Sequence, residues 1–252
     1  MADYTINTTG TYDQSETKKL FAKIFGFMSA GLLITFLTSL IISLIFQYGF
    51  GIYFDTVTNE VVAESVDGLT IFLGLLVGSS ILQLVLTLII SFTCLRSGKN
   101  LLFPAILYTM TMGVLVSAFG MFMPWYYIVA AFGITFFAFL GMALIGILSK
   151  RNLSALGFIG FGLLFATMLI SLGAVLFYIF APALFNFMYV GISLVIVIAL
   201  LLITAYDVWN IKKIIEKGQM SNNIALYCAF TLYVDFIAIF IRILSLINNL
   251  RN

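Results

Sequence analysis

The chain contains no histidine. That absence removes the Ser-His and Cys-His constellations of nucleophilic catalysis. Cysteine is nearly absent too. Cys94 and Cys228 alone, with no imidazole to join them, supply too few of the usual ligands for a zinc site. Both stand near the ends of apolar runs, where cysteine packs as a small apolar residue, and no disulfide is expected if both face the cytoplasm. Pro104, Pro124 and Pro182 are the three prolines, each near the end of a hydrophobic run, so none marks a helix broken at mid-membrane. Charge is scarce, at 9% of residues, and no basic patch or basic-aromatic interleaving exists. Nucleic-acid binding is therefore not expected. The first 17 residues are polar and lack the apolar core of a secretory signal peptide.

What the chain has in excess is hydrophobicity: 63% of residues, with a mean hydropathy of +1.17. Runs of about 20 residues or more recur along most of the length, each long enough to cross a bilayer as a helix. Seven are counted, over about 24–47, 70–94, 101–123, 126–148, 154–180, 184–208 and 224–247. The fold class is thus all-α: a polytopic membrane protein built as a seven-transmembrane-helix bundle in the lipid bilayer. Residues 1–17 are expected to form a disordered cytoplasmic tail, and 18–252 the membrane domain. The longest connection, about 48–69, carries Asp55, Glu60, Glu64 and Asp67 and no basic residue.

Lysine and arginine set the expected orientation. Lys18, Lys19, Lys23, Arg96, Lys99, Lys150, Arg151, Lys212, Lys213 and Lys217 all fall on one side if every run crosses once. The loops after the first, third and fifth runs have none. The N-terminus is expected in the cytoplasm and the C-terminus outside, in a cell (plasma or inner) membrane. Arg242 and Arg251 oppose the placement of the C-terminus, and a last helix that re-enters the cytoplasmic side is the competing topology.

Two aspartates break the apolar pattern of the last two runs: Asp207 and Asp235. An ionisable residue inside a membrane helix costs roughly 3 kcal/mol or more at the bilayer centre and is usually kept for ion passage, proton relay or catalysis. For Asp207 the plain alternative is an interfacial acid paired with Lys212 or Lys213. For Asp235 it is a satisfied core acid. The short connection between these runs predicts antiparallel neighbours. Carboxylates that meet there cannot both ionise cheaply, so the pair is expected to titrate as a unit. One shared proton gives a closed, hydrogen-bonded pair. Its loss gives repulsion and a site that attracts a divalent cation such as Ca2+, which favours hard oxygen ligands. Arg96, at the end of the second run, is either a positive-inside anchor or a counter-charge for Asp207. Arg242 lies seven residues past Asp235 on the same helix face, and either snorkels to the interface or lines the same path. Gln83, deep in the second run, is expected to bond a neighbouring helix.

The run Tyr206-Asp207-x-x-x-Ile211-Lys212, followed by Leu232-Tyr233-x-Asp235-Phe236-Ile237-x-x-Phe240, resembles the paired signature of the Bax inhibitor-1 family, also called the transmembrane BAX inhibitor motif family. The basic turn Lys150-Arg151-Asn152-Leu153-Ser154 and the seven-span plan resemble it as well. The likeness runs from about residue 18 to the end. It implies a pH-sensitive Ca2+ leak channel in which six spans surround the last one. Asp207 and Asp235 would be the pH sensor, ion pathway and metal-binding carboxylates, Arg96 the latch of the closed form, and Arg242 a pore-lining residue. Ca2+ and protons would be its small partners, with no resident cofactor. Ala238 stands where members often have Asn, and Ser245 where their later arginine commonly lies.

Two other function classes compete. An intramembrane aspartyl protease also places aspartates on adjacent helices, and Tyr206-Asp207 fits half its pattern. Its Gly-x-Gly-Asp motif is absent, since Leu232 and Val234 stand at the two glycine positions. No enzyme is expected. The other is a non-transporting regulator that binds another membrane protein, with residues 1–17 as the contact.

Overall fold

The computed structural model describes residues 14–55, 58, 60–94, 101–180, 182–218 and 220–251. Among them are seven helices long and apolar enough to cross a membrane. They are α1 (Gln14–Phe50), α2 (Val66–Cys94), α3 (Leu102–Phe122), α4 (Trp125–Leu148), α5 (Ser154–Phe180), α6 (Pro182–Glu216) and α7 (Asn222–Arg251). A short hairpin, β1 (Ile52–Asp55) and β2 (Glu60–Ala63), lies between α1 and α2. Large apolar side chains such as Phe36, Val77, Leu84, Phe137, Phe158 and Leu172 are exposed. Apolar faces of that extent belong against lipid rather than water. The protein is a multi-pass, all-α membrane protein. α7 is the most buried span, 61% of its most apolar window against 11% to 28% in the other six.

The helices overrun the hydrophobic runs. α1 starts at Gln14, in polar sequence, because Leu20, Ile24 and Met28 already form a buried stripe at helical spacing. Its end is fixed by Gly51, whose φ of 63° suits the left-handed position after a helix. A side chain there would also strike the Glu64 carboxylate, at 2.6 Å from the added carbon. The acidic connection is not wholly irregular. Ile52↔Ala63 and Tyr53↔Val62 pair antiparallel, in β-branched and aromatic sequence suited to strands. Ile52 is buried beside Phe46, Phe72 and Met121. Met123 ends α3 in extended conformation, as a residue before proline tends to do.

By its contacts the chain falls into two units. Residues 14–128 with 220–233 make one, and 129–219 with 234–252 make the other. In the first, α1 and α3 pack closely: a side-chain carbon at Gly113 would lie 2.7 Å from the Thr35 carbonyl oxygen. Gln83 of α2 meets α3, accepting from the Thr111 hydroxyl at 3.2 Å and lying 3.3 Å from the Met112 sulfur, which bears out its expected bond. In the second unit, α4 and α5 close on α6 through glycines. Gly146 faces the Ala205 carbonyl oxygen, Gly157 the Tyr206 ring and Gly160 Ile203. Phe132 and Phe139 of α4 set their rings edge-on to Phe236 of α7, with centroids 5.6 and 5.5 Å apart.

Candidate functional site

α6 continues well beyond its aspartate. Asp207 lies roughly two and a half turns before Glu216, not at the helix end where the apolar run stops. Gly218, with φ of 68°, terminates the helix, and its N–H donates to the Ile215 carbonyl at 2.9 Å. Ser221 then caps α7, its hydroxyl oxygen accepting from the Ile224 N–H at 3.2 Å. Asp235 follows roughly three and a half turns into α7. These lengths bring the two aspartates to comparable positions, one counted back from the turn and the other counted forward.

The Asp207 and Asp235 carboxyl groups lie within hydrogen-bonding reach of one another. Asp207 is half-buried, whereas Asp235 is only 8% exposed. Two carboxyl groups can share a hydrogen bond only if one carries a proton to donate. The second oxygen of Asp235, Oδ2, is buried without a partner among the described residues. Ser193 Oγ of α6 is the other buried side-chain oxygen in that condition. Ser193 lies 14 residues before Asp207, on nearly the same helix face.

The basic residues near Asp207 are engaged elsewhere. Lys212 donates to the carbonyls of Ile147 and Ser149, at 2.8 and 3.3 Å, and so caps the end of α4. Lys213 sits 3.8 Å above the Trp209 ring. Neither forms the interfacial ion pair that was the alternative for Asp207. α4 and α5 carry no charged residue at all. Arg242 is half-buried and makes no ion pair among the described residues. It stands about 10 Å along α7 from Asp235. Arg96 lies outside the described residues. No group of three or more His, Cys, Asp or Glu able to hold a metal occurs among the described residues.

Thr35 of α1, Thr109 of α3 and Tyr233 of α7 form a buried hydrogen-bonded cluster that sequence reasoning did not single out. The available signal was a threonine in the middle of α1, where an unpaired hydroxyl is costly.

The family described as "Inhibitor of apoptosis-promoting Bax1" matches residues 17–252. The chain is also 29% identical over 242 residues to an uncharacterized protein of Borreliella burgdorferi, covering 93% of each chain. It is 27% identical over 234 residues to the uncharacterized protein YrjE of Lactococcus lactis, covering 90% of this chain and 88% of that one. With a match over nearly its whole length, the chain belongs to the Bax inhibitor-1 family.

Proposed function

We propose that the protein is a pH-sensitive Ca2+ leak channel of the cell membrane, gated by Asp207 and Asp235. The observation that carries this reading is the close approach of two carboxyl groups inside two membrane spans, near enough to share a proton. While the shared proton is present, the bond holds α6 and α7 together at this level and the path is closed. When the proton leaves, two charges about 4 Å apart repel by roughly 4 kcal/mol at an effective dielectric of about 20. The hydrogen bond leaves with the proton, since two ionised carboxylates have no donor between them, so nothing offsets the repulsion and the contact opens. The separated carboxylates then attract a cation. They supply at most four oxygens, short of the roughly six to eight of a resident Ca2+ site. Ca2+ is therefore a passing, partly hydrated cargo. Arg96 latches the closed form and Arg242 lines the path, both by family resemblance. The basic loops face the cytoplasm by the positive-inside rule, which places the C-terminus outside.

Ca2+-dye influx into liposomes containing only this protein, followed from about pH 6 to about pH 8, tests the reading. Wild-type flux is expected to fall on acidification. Asp207→Asn and Asp235→Asn keep the hydrogen-bonding shape but cannot ionise, and each is expected to flatten the pH profile. A double Asn variant with wild-type flux and an unchanged pH midpoint would falsify the gate.

A further inference from the structure

In the unit formed by residues 129–219 and 234–252, the buried hydroxyls among the described residues belong to Thr135, Thr167, Ser193 and Thr204. Thr135 donates to the Ala131 carbonyl at 2.7 Å, Thr167 to that of Leu164 at 2.9 Å and Thr204 to that of Leu200 at 2.9 Å. Back-bonding of this kind lets a hydroxyl sit in an apolar helix without loss. Ser193 makes no such bond. Its Oγ is buried and has no partner among the described residues. The packing of α6 shows which way it points. Gly157 and Gly160 of α5 close on Tyr206 and Ile203, and Gly146 of α4 closes on Val208. Ser193, Thr204 and Asp207 fall between those two contacts, on one inward face of the helix. Ile198, on the other side, is exposed. Ser193 stands roughly 21 Å along α6 from Asp207, away from the α6–α7 turn.

Two groups of the same unit occupy the interval on α7. Asp235 Oδ2 is buried without a partner among the described residues. Arg242, about 10 Å further from the turn, is half-buried and makes no ion pair among them. A carboxyl oxygen accepts, a guanidinium donates and a hydroxyl does either, so water is the one small ligand that suits all three. We propose that Ser193 is the far station of a hydrated route to Asp235, where its hydroxyl binds water and, in passing, a hydrated cation. A neutral hydroxyl offers a cation a hard oxygen without holding it as a second carboxylate would. A cation passing Arg242 is repelled least where water fills the space between them. The part played in conduction rests on the channel reading, whereas the water site stands on the geometry alone.

Thiol labelling tests the site without depending on conduction. The full chain carrying Cys94→Ala and Cys228→Ala is purified in detergent and treated with aminoethyl methanethiosulfonate, a small cationic reagent. Ser193→Cys is compared by mass spectrometry with Thr135→Cys, an equally buried position whose hydroxyl its own helix satisfies. Only the thiolate reacts, and dry apolar surroundings suppress it. Ser193→Cys is expected to be modified at least about tenfold faster than Thr135→Cys. Equal rates would show a dry site and overturn the proposal. Ser193→Ala removes the hydroxyl without adding bulk, so the fold is kept, and Ca2+ flux into liposomes is expected to fall by about threefold to tenfold. Undiminished flux in that variant would make the hydroxyl a packing defect and overturn the proposal as well. Fast labelling of Ser193→Cys, with no Ca2+ flux through the wild type at any pH, would defeat the channel reading and leave the hydrated site in place.

Discussion

Lys212 separates two accounts of Asp207 that a linear sequence cannot. At five residues' distance it was a candidate counter-ion, but its ammonium group donates to the Ile147 and Ser149 carbonyls instead. A cation at a helix C-terminus faces unsatisfied carbonyls and the negative end of the dipole, an attraction of about 0.3–2 kcal/mol. Lys212→Met keeps the apolar stem and removes the charge. It is expected to lower stability by about 1 kcal/mol, measured by thermal unfolding, and to leave the pH midpoint of Ca2+ flux in place. A shifted midpoint would mean that Lys212 does reach the aspartate. Asp235 differs in kind from Asp207: it is nearly inaccessible, and one of its oxygens has no partner among the described residues. An unsatisfied buried carboxyl oxygen is a standing cost, which a passing cation or an ordered water would relieve.

Helix packing makes the site sensitive to single methyl groups. At Gly146 an added carbon would lie 2.7 Å from the Ala205 carbonyl oxygen, two residues before Asp207, and a backbone atom cannot swing away. Gly146→Ala is expected to force α4 off α6 and cost about 1–3 kcal/mol, with altered flux in the liposome assay. Gly162 of α5 has nothing within 4 Å of the same probe position. Gly162→Ala is therefore expected to be neutral or stabilising by up to about 1 kcal/mol, since alanine loses less backbone entropy in a helix. Equal losses in the two variants would show that close approach at Gly146 is unimportant. The contrast is invisible in sequence, where both are glycines amid apolar residues.

For the whole molecule, the distribution of basic loops makes a topological prediction. An impermeant thiol reagent is expected to reach a cysteine placed at residue 60, in β2, but not one at 215, in intact cells whose protein lacks Cys94 and Cys228. The reverse pattern would invert the orientation. Much of this architecture is determined by the sequence itself. A span needs only length and apolarity, and the charges flanking it set the direction expected by the positive-inside rule, so all seven spans and the two acids within them were legible residue by residue. The family was legible as well, because its signature is local to each half-motif. Partner choice was not. Whether Asp207 meets Lys212 or Asp235 depends on helix phase and on where α6 stops, and α6 runs past its apolar segment to Glu216 before Gly218 turns the chain. The Tyr233–Thr35 bond joins residues 198 apart in sequence, and no local pattern selects such a pair. The hairpin within the acidic connection escaped notice because two four-residue strands form only where Phe46, Phe72 and Met121 supply a core for Ile52. Hydrophobicity and charge act on each segment separately and can be read from it. Hydrogen-bond partners and close approaches depend on which helix faces which, and that is decided only when the helices pack.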